Sequence, residues 1–173
     1  MIKITLAPYN PLWKDFFATE QQQLLSIGEN IVARVEHIGS TSVEGLSAKP
    51  IIDILIGLHN FERDSAAFVA IMCQNNYRYN NSFEEIMPFR RFFNKQIDEL
   101  KFNIHAVQIG DDFWERHLLF RDYLRQNADK KLAYEQLKQT LAAQNWDNVG
   151  DYADAKTPFI RQTEAQARAY FGR

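Results

Sequence analysis

The chain is poor in cysteine and has almost no excess of either charge. Its single cysteine, Cys73, excludes an internal disulfide and is typical of a reducing compartment, so we expect a cytoplasmic protein. Cys73 falls in a predicted helix, where we expect a small buried side chain. The 20 Lys and Arg residues against 22 Asp and Glu give a net charge of −2. General nucleic-acid binders usually carry a basic field, so no nucleic-acid partner is expected.

Long apolar runs are also missing. No stretch approaches the ~20 apolar residues of a membrane-spanning helix, and residues 1–6 lack the apolar core and cleavage site of a signal peptide. We therefore expect a soluble protein without a membrane partner. The chain is rich in residues that form a hydrophobic core: 46% of its residues are hydrophobic, and these include 13 Phe and 7 Tyr. A length of 173 residues favours a single domain, 1–173, with a substantial core.

Hydrophobic periodicity predicts an α+β fold in which helices pack on a mixed β-sheet and the C-terminal third is helical. Strands are predicted at 31–38, 51–58, 77–79, 89–95 and 99–109, with a hairpin connection at 96–98. Helices are predicted from Asn10-Pro11 to Gly28, from Asn60 or Asp64 to about residue 74, and from Asp111 or Asp112, Asp129 and Thr157. The predicted buried face of the first helix consists of Leu12, Phe16, Leu24 and Ile27.

The most informative segment, residues 35–57, has the pattern of a strand, a Gly-Ser turn, a short helix and a second strand. Gly39 lets the backbone approach a ligand closely, and Ser40 and Thr41 add hydroxyl donors. The N-terminus of a following helix would favour phosphate. These features predict a phosphate-binding turn, although a plain strand-to-helix turn with a serine cap is an equally open alternative for this short motif.

Asp53 is an acid within an apolar strand. Burying a carboxylate without a partner is costly, so Asp53 must pair with a cation such as Lys49 or His37, accept hydrogen bonds, or face a cleft. Strand alternation places Asp53 and Leu55 on the same face. Next to a phosphate-binding turn, Asp53 could hold Mg²⁺ together with phosphate oxygens and water. Two-metal transfer normally uses more carboxylates, and the candidates for these are Glu84, Glu85 and Glu99.

Further polar residues follow on later strands and helices. His105 shares one predicted strand face with Lys101 and Asn103; this face either contacts the cleft, with His105 as proton carrier or metal ligand, or is exposed to solvent. Other charged residues are also open to a functional or a structural interpretation. Arg90, Arg91 and Lys101 form either a basic wall that binds phosphate or an ordinary charged edge. Arg121 and Asp122 form either a structural ion pair or a contact to the cleft, and Lys156 is a further candidate for a phosphate contact.

Several motifs of this chain resemble the GrpB family, and the resemblance covers nearly the whole sequence. The motifs are His37–Val43, Ala48–Ile54, Ile104-His105, Trp114–Leu124 and Lys156 with Phe159-Ile160. The resemblance implies a nucleotidyltransferase-like sheet; GrpB-like domains occur alone or fused to dephospho-CoA kinase. Polymerase-beta-type nucleotidyltransferases have a second acid where this chain has Leu55. Family members commonly carry a histidine where this chain has Asn103.

Motifs and resemblance together predict Mg²⁺-dependent nucleotidyl or other phosphate-centred transfer to a small molecule. Gly39, Ser40 and Thr41 would hold phosphate, and Asp53 would bind Mg²⁺. His105 would move a proton or complete the metal shell. The cations expected to neutralise charge are Lys49, Arg91 and Lys101. The alternative is a non-catalytic nucleotide or CoA-type binding module, and a role in binding another protein is a third possibility.

Overall fold

A mixed five-stranded sheet forms the centre of the computed structural model, which describes residues 1–173. The strands are β1 (Ile2–Lys3), β2 (Val32–Ile38), β3 (Ile51–Leu58), β4 (Arg78–Tyr79), β5 (Arg90–Ile97), β6 (Leu100–Gln108) and β7 (Asn145–Trp146). The helices are α1 (Leu12–Ile27), α2 (Phe61–Gln74), α3 (Asp112–Gln126), α4 (Ala128–Ala142), α5 (Val149–Asp154) and α6 (Thr157–Phe171). None of them is long and apolar enough to cross a bilayer.

The central sheet has the order β2-β3-β6-β5-β4. Strands β3 and β6 are parallel, while the other three pairs are antiparallel. The predicted mixed sheet of an α+β fold is therefore confirmed. Ile38 at the end of β2 pairs with Asp53 near the start of β3, and Asp53 pairs with Asn103 of β6. This register brings the Gly-Ser turn and the acid to one edge of the sheet.

The two faces of the sheet are covered by different helices. Ile52, Ile54 and Ile56 are fully buried in the main core on the face covered by α1 and α2. On the opposite face, Leu55 is buried with Phe113 and Trp114 at the start of α3. The predicted alternation of β3 is confirmed. It also shows that the position of the missing second acid lies beneath a helix, in an apolar cluster.

Helix α1 buries Leu24 and packs Ile27 on the core, as predicted, but its N-terminal half presents a different face to the core. The Asn10 side chain accepts the Leu12 N–H at 3.0 Å, as expected of a cap. The expectation that Leu12 and Phe16 are buried is wrong, since both are exposed, and the helix buries Trp13 and Glu20 instead. Two side chains compensate the buried acid: the hydroxyl of Tyr77, which precedes β4, donates to it at 2.5 Å, and Lys95 of β5 forms an ion pair with it at 2.9 Å.

One burial prediction and the limits of two strands differ from the structure, while one of two alternative helix starts is confirmed. Cys73 is exposed in the last turn of α2, so the expected buried side chain is wrong. Of the two predicted starts of α2, Asn60 is the cap, and its side chain accepts the Arg63 N–H at 2.9 Å. Strand β5 extends two residues further than predicted, to Ile97, which pairs with Leu100 at the start of β6; β6 is slightly shorter than predicted. The connection is therefore only Asp98-Glu99, with Asp98 at a positive φ of 51°.

The C-terminal third is helical, as predicted, with one interruption. Residues 145 and 146 form β7, which pairs antiparallel with β1 at the other end of the chain. The pairing holds the short helix α5 next to the start of β3, and its Tyr152 is buried. Neither β7 nor α5 is predicted from periodicity, because two- and six-residue elements are too short to show one.

The burial of Leu55 predicts that this position cannot accept the missing acid. Leu55→Asp should lower the free energy of unfolding by roughly 3–5 kcal/mol, because the new carboxylate would be buried among Ile38, Val107 and Trp114 in an apolar cluster. Leu55→Met, which conserves volume, should cost less than about 1.5 kcal/mol. Urea denaturation of both variants measures the difference. A stable Leu55→Asp variant that gains Mg²⁺ binding would contradict this account.

Candidate functional site

A cavity of about 210 Å³ lies between the start of β3 and helices α4 and α5, with Lys156 just before α6. Its walls come from distant parts of the sequence, and most of the polar side chains among them are hydroxyl, amide or amino groups. The lining residues are Leu6, Ser40, Thr41, Ala48, Lys49, Ile51, Asp53, Asn103, Lys138, Tyr152, Ala153 and Lys156. The structure thus brings together four predicted site residues, Ser40, Thr41, Lys49 and Asp53, with Gly39 directly behind them.

Gly39 is in direct contact with the carboxyl group of Asp53. Its backbone has a φ of 72° and a ψ of −176°, a region that is essentially restricted to glycine. A Cβ atom at this position would lie 2.4 Å from Asp53 Oδ2. A glycine is therefore required here for two reasons, backbone conformation and space. The Gly-Ser turn and the acid form one unit.

The turn after Gly39 is not followed by an α-helix. Residues 40–42 form a single turn of 3₁₀ helix, and the Ser42 hydroxyl donates to the Gly39 carbonyl at 2.6 Å. The expected helix N-terminus, with its partial positive charge, is therefore wrong. A single 3₁₀ turn has little aligned dipole, so the positive charge available to an anion at this site comes chiefly from side chains.

His37 and Thr41 stabilise the turn from below. The Thr41 hydroxyl donates to the Ile51 carbonyl at 3.1 Å, so it accepts a hydrogen bond from His37 Nε2 at 3.0 Å. The His37 ring is buried and stacked on Phe17 at 4.7 Å. Burial, assisted by the charges of Arg125 and Arg121, lowers the pKa of His37 to about 3. His37 is a neutral structural donor, and the half-buried Ser40 has the hydroxyl more available to a ligand.

Asp53 is held by a chain of amide side chains. Asn103 Nδ2 donates to Asp53 Oδ1 at 3.0 Å, and Asn94 Nδ2 donates to Asn103 Oδ1 at 3.0 Å. Burial raises the pKa of the Asp53 carboxyl, while the Asn103 hydrogen bond and the charges of Lys49 and Lys156 oppose the shift. Asn103 therefore orients the carboxylate through its side-chain amide.

Lys49 and Lys156 bring two positive charges to the cavity and form no ion pair. Both amino groups lie over the Tyr152 ring, at 5.7 Å and 4.4 Å from its centroid. Burial, followed by repulsion from Lys49, lowers the pKa of Lys156 to about 8. Burial also lowers the pKa of Lys49. Each would gain from an anionic ligand, because such a ligand compensates a charge that solvent stabilises poorly here.

Lys138, the third lysine in the cavity wall, is already compensated. Its amino group lies 3.0 Å from Glu135 and donates to the Ser47 carbonyl. With that pair neutral, Lys49 and Lys156 face Asp53 alone, and the cavity has an excess of positive charge. Asp53 is the only carboxylate lining it, and nowhere do three His, Cys, Asp or Glu residues cluster to hold a metal. The side chains alone therefore fit an anion better than Mg²⁺.

His105 does not reach this cavity. It pairs with Leu55, one step further along the sheet than Asn103, and it lies among aromatic rings. Its Nδ1 accepts a hydrogen bond from Arg90 Nη1 at 3.1 Å, and its ring stacks on Phe92 at 4.9 Å. Burial, followed by the charge of Arg90, lowers the pKa of His105 well below its ordinary value. The structure offers no path for His105 to move a proton at Asp53.

Arg91 and Lys101 do not form a basic wall. Arg91 packs on the Phe61 ring of α2, at 4.9 Å, on the face of the sheet opposite to Asp53. Lys101 is exposed beside the cavity and lines an adjoining groove, as does Glu99. Glu84 lies 3.7 Å from Arg91 and so does not approach Asp53.

Arg121 forms the structural ion pair with Asp122 that was one of its two predicted roles. It is buried, and its Nη1 donates to Glu36 Oε2 at 2.5 Å and to the His37 carbonyl at 3.0 Å. Its Nε also pairs with Asp122 at 2.7 Å. These contacts fasten α3 to β2 just before the Gly-Ser turn, and they position the turn without entering the cavity.

Two of the polar residues that line the cavity, Lys138 and Tyr152, were not predicted from the sequence. Lys138 lies four residues after Tyr134 and three before Leu141, so helical spacing places it on the same buried face and could have indicated it. Tyr152 lies in the short helix α5, where no periodic signal exists. Lys156, predicted only as a possible phosphate contact, is a central member of the cavity.

A protein-family profile described as GrpB protein matches residues 3–166. This chain belongs to the GrpB family. The family resemblance deduced from the His37–Val43 and Ala48–Ile54 motifs is thereby confirmed, and these two motifs build one wall of the cavity.

Relatives and a solved structure agree with this assignment. The UPF0157 protein YqkA of Bacillus subtilis is 37% identical over 97% of this chain, which spans only 48% of that relative. The glutamate-rich protein GrpB of Alkalihalophilus pseudofirmus is 30% identical over 91% of this chain and 92% of its own length. The crystal structure of conserved protein GrpB from Enterococcus faecalis matches with a TM-score of 0.84 and 32% identity, covering 98% of this chain and 100% of that one. The same mixed α+β fold is therefore present in an experimental GrpB structure.

The contact between Gly39 and Asp53 predicts that adding one methyl group, by Gly39→Ala, destabilises the fold more than the same change at another glycine with a positive φ. Gly39→Ala should destabilise the protein by about 1–3 kcal/mol more than Gly110→Ala, because overpacking adds to backbone strain. Gly110 is the matched control, since its φ is also positive, at 78°, but a Cβ atom added there would meet nothing within 4 Å. Thermal and urea unfolding of both variants provide the comparison. Equal losses would mean that Asp53 can move away from the turn freely.

Proposed function

We propose that this cavity binds a phosphate-bearing small molecule of the nucleotide type. The observation that carries the proposal is a pair of partly buried lysines. Lys49 and Lys156 lie in the cavity beside the Gly39-Ser40 turn, and neither forms an ion pair, whereas the third lysine, Lys138, is paired with Glu135. A phosphate group has the charge to compensate both. Charge-assisted hydrogen bonds of this kind are about twice as strong as neutral ones.

Each residue then has a distinct role in binding. Lys49 and Lys156 donate to phosphate oxygens, and the Ser40 hydroxyl donates a further hydrogen bond. Gly39, which lacks a side chain, keeps the approach to the turn open. Asp53 stays oriented by Asn103 and holds the two ammonium groups in place through its charge. Binding of a small phosphorylated ligand needs no metal in this arrangement.

Mg²⁺-dependent nucleotidyl transfer is the second candidate, and one observation favours it. Asp53 lies against the phosphate-binding turn, so a metal bound to its carboxylate would also reach the phosphate oxygens. Mg²⁺ commonly takes one carboxylate together with phosphate and water. All the remaining ligands would have to come with the substrate, because Leu55, His105 and Glu84 lie elsewhere.

The binding proposal predicts a selective loss when either lysine is neutralised. Lys49→Gln and Lys156→Gln should each weaken binding of AMP, ADP or ATP roughly ten- to hundredfold, through loss of one charged hydrogen bond. Calorimetric titration and the rise in melting temperature with ligand measure this effect. Lys3→Gln, a change at an exposed lysine of β1, is the control and should bind normally. If no phosphorylated compound stabilises the protein, the proposal fails.

The same titrations separate binding from transfer. Asp53→Asn keeps the side-chain shape but removes the charge that a metal would need. If nucleotide binding by the variant no longer responds to Mg²⁺ while the unmodified protein forms a transfer product, the transfer candidate is supported. If binding survives in the variant and the unmodified protein forms no product with Mg²⁺ present, transfer is excluded and the binding module remains.

The lowered pKa of Lys156 predicts that anion binding depends on pH. An anion binds the protonated amine, so affinity should be full below pH 8 and should fall as pH rises through about 8, where Lys156 loses its proton. Sulfate is the suitable probe, because its own charge is constant in this range. Lys156→Arg keeps its charge, and its binding should remain flat across the same range. A profile that is unchanged by this substitution would assign the titration to another group.

A further inference from the structure

We infer that the ligand is elongated and carries a second anionic group, bound by Arg78 and Lys101 on an open polar face of the sheet. This inference rests on the proposed function, since it places the first anionic group of the same ligand between Lys49 and Lys156. It names the class of ligand: two anionic ends joined by a spacer that bears hydroxyl or other hydrogen-bonding groups.

The cavity continues into open grooves along the sheet. One groove, of about 480 Å³, shares Lys49 and Ile51 with the cavity. A second, of about 370 Å³, shares Ile51 and Asn103 with the cavity and extends to Arg78. A ligand fixed at Lys49 and Lys156 can therefore extend along either groove without displacing any helix.

Strand register shows that the second groove follows one row of side chains. Asp53 pairs with Asn103, Asn103 with Asn94, and Asn94 with Arg78, on four neighbouring strands. Directly paired residues have their side chains on the same face of a sheet. Neighbouring strands lie ~4.8 Å apart, so Arg78 is roughly 14 Å from Asp53 along this row. The acid and the arginine lie at opposite ends of one polar strip.

The amides between the two ends leave an acceptor for a ligand. Asn94 donates to Asn103 and Asn103 donates to Asp53, so the hydrogen bonds run in one direction. The Asn94 Oδ1 atom has no partner within the protein and can accept a hydrogen bond from a ligand hydroxyl. The next row of the same face is covered, since the Phe92 and His105 rings lie against Phe83 and Phe113. The strip is thus a groove with one closed side.

Charge decides which groove receives the second anion. The first groove is lined by Asp98 and Glu99 of the hairpin turn, and these carboxylates would repel an anion. The second groove has no carboxylate among its lining residues, which are Ile51, Arg78, Asn94, Lys95, Gln96, Lys101, Phe102 and Asn103. Lys95 is already paired with Glu20, at 2.9 Å. Arg78 and Lys101 form no ion pair, so they are the cations available to a ligand.

The test uses simple synthetic ligands that differ only in the second anion. A graded series of α,ω-alkanediol bisphosphates and the corresponding monophosphates is titrated against the full chain. Bisphosphates that span roughly 10–15 Å, the distance set by three strand spacings, should bind at least about tenfold more tightly than the monophosphates. In an Arg78→Gln, Lys101→Gln double variant this advantage should disappear, while monophosphate affinity stays unchanged.

Two controls keep the result interpretable. Arg63→Gln removes an exposed arginine that is paired with Asp64 away from the strip, and it should keep the bisphosphate advantage. Melting temperatures without ligand verify that the double variant is folded. If bisphosphates bind no better than monophosphates, or the double variant weakens both equally, the inference is overturned while the proposed function stands. If neither class binds the unmodified protein, the proposed function fails and the inference with it.

Discussion

The structure depends on one constraint, the accommodation of the Asp53 carboxylate at the edge of an apolar core. Four parts of the chain meet to satisfy it. Gly39 makes room for the carboxylate, Asn103 donates to it, and Lys49 and Lys156 supply opposite charge. A buried carboxylate without these partners would cost several kcal/mol. The close turn after β2, the parallel pairing of β3 with β6, and the position of α6 are all parts of this one solution.

Much of the fold could be predicted because its signals are local. Alternation along β3 assigns its faces, and the side chains of Asn60 and Asp111 cap the helices that follow them. What could not be predicted depends on contacts distant in sequence. The pairing of β1 with β7 joins residues 2–3 to residues 145–146, and it holds the following helix, with Tyr152, at the cavity. The orientation of α1 depends in the same way on the partners of Glu20, Tyr77 and Lys95, which are distant in sequence.

The candidate site could be predicted only in part, for a related physical reason. Alternation correctly placed His105 on the same face as Asn103, but it cannot show what covers that face. Helix α3 covers the Leu55 and His105 row with Phe113, whereas the Asn103 row stays open. Arg91 shows the converse: its type suggested phosphate, but strand register places it on the opposite face. Residue type indicates chemistry, and only pairing and covering elements indicate whether that chemistry meets a ligand.

The cavity has more positive than negative side-chain charge, and this balance determines how it could bind phosphate. Polymerase-beta-type sites hold phosphate through metal ions bound by several acids, whereas this cavity has one acid and two lysines without acid partners. Ammonium groups can neutralise phosphate directly, but they do so only while protonated, and burial makes that state harder to keep. Asp53 opposes this effect by favouring the charged form of both lysines. In the proposed binding mode, the acid would act chiefly by keeping both lysines cationic, so a single carboxylate would suffice to hold phosphate without a metal ion.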